Sequence, residues 1–334
     1  MNDKLTFGMI GSGTYAKVHA RVYNNDPRTT LKALWSPTRK HREKTANQFG
    51  CSAPEKWEDI VNDPSISCIA VATPDFAHTE YAVAAMNAGK HVLLEKPMAM
   101  SGSECKKILA ARDSSGKKLM VNYHNRWYPA FSAARDTILS GKIGRPVCAD
   151  FVLSDTITWV EENMRWADRT GPEWFLMSHL ADLALWILGS KPVEIFSMVR
   201  EGLLKSKGFP TRDLVKAIIR MEDGTIVHFE SSWILARGWR NPVNDMRVTV
   251  QCEEGRIDTT ADYENIAVTS GTYTTPFVLL DLTEVNPIKD FISCVLDDSP
   301  VPVTGEEGHL ATCVLEAVVR SYQEKRPVFF DETA

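Results

Sequence analysis

The amino-acid sequence predicts an α/β protein in two parts. Residues 1–123 read as an N-terminal doubly wound parallel sheet, and residues 124–334 as an α+β domain with a large, mainly antiparallel sheet. Three observations carry this. In the first part, short apolar runs alternate with helical patterns, as strand–helix–strand units do. The first of these runs, Leu5–Ile10, leads directly into Gly11-Ser12-Gly13-Thr14-Tyr15-Ala16 and then a helix. From Val193 to Ile266 the pattern changes to short alternating runs, with Asp223-Gly224 and Glu253-Glu254-Gly255 as hairpin turns.

A chain of 334 residues is long enough for two substantial cores. Its 24% charged and 44% hydrophobic residues are an ordinary globular balance. The net charge of -5 argues against a nucleic-acid partner. No apolar run approaches the roughly 20 residues of a membrane span. Met1-Asn2-Asp3-Lys4 passes straight into a strand with no leader pattern, so a cytoplasmic protein is expected. The seven cysteines are scattered and form no C-x-x-C. Reduced thiols are therefore expected, with no disulfide framework and no metal site.

The strand, G-x-G-x-x-A and helix in succession are the setting of a dinucleotide fingerprint in a Rossmann domain. Gly11 permits the tight turn, Gly13 lets a pyrophosphate approach the backbone, and Ala16 allows close helix packing. Ser12, Thr14 and Tyr15 complete the turn, and the helix N-terminus offers N–H groups to phosphate. The second strand, Leu31–Leu34, runs on to Ser36, where an acid would hold a ribose 2′-hydroxyl. A small hydroxyl at Ser36, with Thr38, Arg39, Lys40 and Arg42 around the turn, suits the extra phosphate of NADP better than NAD. The wholly apolar run Cys68–Ala72 reads as a central strand. The turn after it, Ala72-Thr73-Pro74, should border the cofactor, and His78 opens the next helix. Gly89 closes that helix. The strand Val92–Leu94 then ends in Glu95-Lys96-Pro97. A proline there stops the ladder. It leaves Glu95 and the Lys96 amine at the C-terminal end of a buried strand, where open parallel sheets bind ligands. Ser101 with Glu104 forms a capping box for the helix to Ser114, and Lys118–Asn122 is the next strand.

Gly11-x-Gly13-x-x-Ala16 with His19, then Ala72-Thr73-Pro74, then Gly89-Lys90-His91-Val92 through Glu95-Lys96-Pro97 resemble the Gfo/Idh/MocA oxidoreductase family in order and spacing. The resemblance implies nicotinamide-dependent hydride transfer on sugars, cyclitols or related compounds, with Lys96 as the active-site lysine. The crossover Tyr123-His124-Asn125-Arg126 and the turn Gly141–Pro146 are also similar to the family's. Asn125 and Arg126 would then face the nicotinamide or the substrate; the alternative for Arg126 is a structural interdomain ion pair.

Trp174–Leu188 reads as one helix closed by Gly189, with Leu176, Leu180, Leu183 and Ile187 as its core stripe. Phe175, His179, Asp182 and Trp186 lie on a second face. The family carries an Asp, a His four residues on, and an Asp three further on. His179 and Asp182 match the last two, whereas Phe175 stands in place of the first acid and Met177 in place of a nearby glycine. An aromatic ring at Phe175 suits a sugar face; it would equally mark a chain that binds without reacting. Trp159, Trp166, Trp174, Trp233 and Trp239 are dense in this half, and Trp166 is a candidate substrate contact. Arg165, Asp168, Arg169, His228, Arg237 and Arg240 are further polar candidates that the sequence does not rank.

The expected function is that of an NAD(P)-dependent oxidoreductase of a sugar-like secondary alcohol or ketone. In it Lys96 steadies the reacting oxygen, or relays the proton itself, and His179 carries the proton. Asp182 either orients His179 or completes a structural hydrogen bond. Two other readings stand beside it: a nucleotide- or sugar-binding regulator, and an enzyme that oxidises its substrate transiently during elimination or hydrolysis. A homodimer or homotetramer formed through the second sheet is expected.

Overall fold

The computed structural model describes residues 4–241, 243–260, 265–270, 273–278 and 286–330. The opening Met1-Asn2-Asp3 lies outside the described residues. The chain forms two compact units, Met1–His124 with Leu282–His309, and Asn125–Asp281 with Leu310–Ala334.

The first unit contains β1 (Leu5–Ile10), α1 (Thr14–Asn25), β2 (Thr29–Trp35), α2 (Arg39–Phe49), α3 (Glu58–Val61) and β3 (Cys68–Val71). It continues with α4 (His78–Asn87), β4 (His91–Glu95), α5 (Gly102–Ser115) and β5 (Leu119–Asn122). The five strands are parallel in the order β2-β1-β3-β4-β5. The order reverses between β1 and β3, so the crevice at their C-terminal ends is where such a sheet binds ligands. Every residue of β3 is buried, as its apolar run requires. The Ser101 cap forms, with the Glu104 backbone N–H donating to Ser101 Oγ at 3.2 Å, while Glu104 Oε2 accepts from Met100 N–H, one residue before the cap, at 3.2 Å. Helix α2 begins at Arg39, so Arg39 and Lys40 lie inside its first turn.

The second unit contains α6 (Pro129–Leu139), β6 (Pro146–Thr156), α7 (Ile157–Asn163), α8 (Pro172–Phe175), α9 (Met177–Leu188) and β7 (Pro192–Glu201). After these come α10 (Leu203–Ser206), β8 (Arg212–Met221), β9 (Ile226–Leu235), β10 (Asn244–Cys252), β11 (Gly255–Thr260), β12 (Asn265–Ser270) and β13 (Tyr273–Val278). The chain ends with α11 (Asn286–Leu296), α12 (Gly305–Glu324) and β14 (Val328–Phe329). Among the described residues the second sheet has nine strands, ordered β13-β12-β11-β10-β6-β9-β8-β7-β14. All its pairings are antiparallel except β6 with β9. Strand β6 sits between β9 and β10 because its second half, Phe151 to Thr156, is buried throughout and must be covered on both faces. Helices α8 and α9 pack on one face. The other exposes Phe196, Met198, Ile218, Ile226 and Phe329, among surface ion pairs such as Lys216–Glu230 at 2.6 Å and Arg220–Glu194 at 2.8 Å.

Two details depart from the sequence reading. Leu282–His309 belongs to the first unit, where α11 packs on α1, β4 and β5 and Phe291 meets the Phe7 ring edge-on at 6.5 Å. The helix expected over Trp174–Leu188 is two helices, broken at Leu176. Glu173 on α8 is fully buried, pairs with Arg212 of β8 at 2.5 Å and accepts from Tyr322 Oη at 3.3 Å. That anchorage fixes α8 independently of α9.

The seven cysteines are all free thiols. Among the described residues no group of His, Cys, Asp and Glu could hold a metal ion, and no helix is long and apolar enough to cross a membrane.

Candidate functional site

The nucleotide turns meet at the reversal of strand order. Gly11 has φ 130°, and a Cβ there would stand 2.1 Å from the Ala72 carbonyl oxygen. Only glycine fits where the turn after β1 presses on the turn after β3. Gly13 is exposed, and a Cβ there would meet no atom within 4 Å, so its backbone stays open to approach from outside. Ala16 is fully buried, as close packing of α1 demands. Ser12, Thr14 and Tyr15 lie on the same turn, and the Tyr15 ring faces the His124 imidazole at 5.5 Å.

At the end of β2, Ser36 and Arg42 are both buried, and Arg42 Nη1 donates to the Ser36 carbonyl at 3.0 Å. Ser36 Oγ, Arg42 Nε and Thr73 Oγ1 have no hydrogen-bond partner among the described residues. Buried polar atoms are rarely left so. Three of them beside an open glycine turn fit a polar ligand such as a dinucleotide. Thr38 is the N-cap of α2 and makes no side-chain cap bond. Arg39 is drawn to Glu43 at 2.7 Å on the surface, and Lys40 is exposed. Of these three cations Arg42 alone is buried, on α2 against the end of β2.

Lys96 is 6% exposed at the end of β4, and the Lys96–Pro97 peptide bond is cis. The neighbouring members of its motif have structural partners. Lys90 Nζ donates to the carbonyls of Asp63 and Ile66, both at 2.7 Å. His91 Nδ1 accepts from Lys118 N–H at 3.1 Å. Glu95 Oε1 takes His19 Nε2 at 2.8 Å and Asn122 Nδ2 at 2.7 Å, while His19 Nδ1 meets Tyr23 Oη at 3.0 Å. Burial opposes the charge on Glu95, but His19, Asn122 and the His124 side chain outweigh it and hold the carboxyl down at about 2. His78 does not direct its ring outward: Nδ1 lies 2.7 Å from the Pro97 carbonyl oxygen and Nε2 lies 3.0 Å from that of Thr73.

His124 is buried at the end of this unit. Burial pushes its imidazole down to about 4; Glu95 pulls it back, and Lys96 and His19 push it further down. This fixes an acid response. Unfolded, the imidazole binds its proton near 6.5, so between 6.5 and about 4 the unfolded chain holds more protons and falling pH favours it. Glu95 adds loss of the same sign from 4.5 toward about 2. His124 alone should remove roughly 3 kcal/mol of stability between about pH 7.5 and 4. Urea midpoints across that range should fall for the native chain and fall less for His124→Asn; parallel curves would show that His124 is not the cause.

In the second unit, Arg126 and Asp182 form a buried pair. Arg126 Nε donates to both Asp182 oxygens at 3.1 and 3.0 Å, and Nη2 to Oδ1 at 2.6 Å. The guanidinium also lies over the Trp186 ring at 5.6 Å. Arg126, expected to face nicotinamide or substrate, thus turns two of its nitrogens to Asp182, and Asp182 has a partner other than an imidazole to orient. Asn125 Nδ2 reaches Met246 Sδ at 3.6 Å. His179 is buried in the first turn of α9, and its N–H donates to the Leu176 carbonyl at 3.0 Å. The Phe175 ring, one break earlier, packs between Trp166 at 5.7 Å and Trp233 at 6.1 Å. An acid position has here become part of an aromatic cluster, and the indole Nε1 of fully buried Trp233 has no partner among the described residues. The other polar candidates lie outside this group. Arg165, Asp168 and Arg169 are exposed, Arg237 pairs with Glu161 at 2.6 Å, His228 pairs with Asp150 at 3.3 Å, and Arg240 lies over Trp239 at 5.3 Å.

Residues 5–123 match an oxidoreductase family with an NAD-binding Rossmann fold, and residues 131–258 match the GFO/IDH/MocA C-terminal domain. Inositol 2-dehydrogenase of Rhizobium meliloti is 25% identical over 96% of this chain and 98% of its own length. The NADP(+) scyllo-inositol 2-dehydrogenase of Bacillus subtilis is 26% identical over 98% of this chain and 97% of its own. A levoglucosan dehydrogenase solved with NADH and levoglucosan shares the fold at a TM-score of 0.87, with 21% identity over 98% of this chain and 100% of that one. From the glycine turn at Gly11 to the last matched strand of the second sheet, the chain belongs to the Gfo/Idh/MocA family of oxidoreductases.

Proposed function

We infer that the chain is an NAD(P)-dependent dehydrogenase of a cyclitol or sugar-like secondary alcohol, or a reductase of the matching ketone. The observation that carries this is Lys96: a buried amine at a strand end, on the same side of the sheet as the open Gly13 turn. The names of the relatives, inositol and levoglucosan dehydrogenases, support the substrate class. A bound nicotinamide nucleotide supplies the redox half of the reaction, taking up or giving back hydride. The turn Gly11–Ala16 and the start of α1 receive its pyrophosphate. Thr73 and Pro74 border it on the next strand.

The protein's own part is to place the carbon and handle the proton. Lys96 donates a hydrogen bond to the reacting oxygen and steadies its developing negative charge. His179 accepts the hydroxyl proton in oxidation and returns it in reduction. Loss of one proton and one hydride converts CH–OH to C=O, so the step balances. Trp166 and Phe175, backed by the buried Trp233, offer an aromatic wall to the C–H face of the ring. Asp182 serves Arg126 and fixes α9 rather than tuning the imidazole. A second copy of this chain fits the open face of the second sheet, where apolar side chains stand among charges already paired within the chain. A regulator that binds without turnover is favoured by one observation, the aromatic ring of Phe175 in place of an acid.

A panel of sugars, cyclitols and their ketones, read at the absorbance of the reduced nicotinamide with each nucleotide, tests the reading. At least one cyclitol or sugar should give turnover; tight nucleotide binding with none would favour the regulator. NADP should bind more tightly than NAD through Ser36 and Arg42. Ser36→Asp would set a carboxylate against the 2′-phosphate and should shift the NADP-to-NAD ratio of Kd by about 10²-fold toward NAD. An unchanged ratio would remove Ser36 from the phosphate site.

A further inference from the structure

We propose that His19 and His78 are positioning residues that bracket Lys96, His19 tying α1 and His78 tying the turn after β3 to either side of the lysine. The inference rests on the reading that Lys96 works at the reacting oxygen. Lysine is a long flexible side chain, and its amine is only as well placed as the backbone beneath it. That backbone is held on both sides. Before Lys96, the Glu95 carboxylate is gripped by His19 Nε2 at 2.8 Å and Asn122 at 2.7 Å. After it, the Pro97 carbonyl is met by His78 Nδ1 at 2.7 Å.

The far side of each histidine is also held, within α1 for His19 and at the turn after β3 for His78. His19 lies in α1, the helix that follows Gly11–Ala16, and its Nδ1 meets Tyr23 of the same helix at 3.0 Å. His78 is the first residue of α4, and its Nε2 meets the Thr73 carbonyl at 3.0 Å. The two rings are 0% and 1% exposed. With both nitrogens of each ring engaged inside the fold, neither histidine is available as the proton carrier. Carbonyl oxygens only accept, so a His78 ring nitrogen bonds its carbonyl as the donor. A rigid ring with a nitrogen on each of two edges spans two strand-end turns in a way no aliphatic or single amide does.

Two substitutions separate the halves of the His78 bridge in the full-length chain. Asparagine places an amide nitrogen near the site of Nδ1 and keeps the Pro97 bond; glutamine places one near Nε2 and keeps only the Thr73 bond. His78→Gln should lower kcat by about 10²-fold, the scale of a small misplacement of a reacting group, with nucleotide Kd nearly unchanged. His78→Asn should lose roughly ten times less. Acetic anhydride labelling of Lys96, followed by mass spectrometry, reports the lysine without any substrate. Its rate should change in His78→Gln and in His19→Leu, and return toward the native value in His19→Gln, which restores a donor to Glu95. Equal losses in the two His78 variants, or unchanged Lys96 labelling in His78→Gln, would overturn the bracket. Normal turnover in Lys96→Ala would instead remove the catalytic reading of Lys96 and leave the labelling result standing.

Discussion

Lys96→Ala lowers turnover by about 10³-fold or more while nucleotide binding stays nearly intact. The expectation follows from where the residue stands. The Lys96 amine sits at the strand end on buried backbone, while the nucleotide turn is built by Gly11 against Ala72 and by the buried Ser36 and Arg42, none of which depends on the amine. Removing it therefore costs stabilisation of charge that develops at the reacting oxygen, which appears in kcat, and little ground-state affinity. Lys96→Met keeps most of the side-chain volume and should behave alike, which separates loss of the amine from loss of packing. The check is kcat from nicotinamide absorbance beside nucleotide Kd from fluorescence titration. Turnover within about tenfold of the native chain in both variants would take Lys96 out of the chemistry.

The second large effect is at His179. His179→Ala should lower kcat by about 10²- to 10⁴-fold and remove the limb of the pH profile that reports the proton carrier. Asp182→Asn is the informative companion. Because the Asp182 carboxylate is paired to Arg126 in three contacts, its loss leaves a buried guanidinium without its counter-charge and should lower stability by about 3–5 kcal/mol. The pH profile of the folded enzyme should keep its shape. A profile that moves with Asp182→Asn as much as with His179→Ala would return Asp182 to the role of orienting the imidazole.

The features written locally in the chain are legible from its residues alone. The strand, glycine turn and helix at Leu5–Asn25, the wholly apolar β3 and the proline-ended strand before Lys96 are each set by neighbours within a few residues. What could not be read depends on partners far apart in sequence. Glu95 reads as a cofactor contact, yet the fold sets His19 and Asn122 on it, and nothing near Glu95 in the sequence announces either. His78 reads as the opening of a helix, because its two acceptors are backbone carbonyls on different loops. The break at Leu176 is invisible to a periodicity that runs unbroken through Trp174–Leu188; it follows from Glu173 being held by Arg212 and Tyr322. Likewise β6, the first strand of the second sheet in chain order, lies in its middle, parallel to β9, because pairing partners are chosen by burial rather than by chain order.

The most direct test follows the hydrogen itself. A cyclitol or sugar deuterated at its carbinol carbon is incubated with the enzyme and oxidised nucleotide, and the reduced nucleotide is weighed by mass spectrometry. Transfer of one deuterium from the carbinol carbon to the nicotinamide ring, lost together in Lys96→Ala and His179→Ala, is the predicted result. Nucleotide that binds tightly but never acquires the label, across the whole substrate panel, would contradict it.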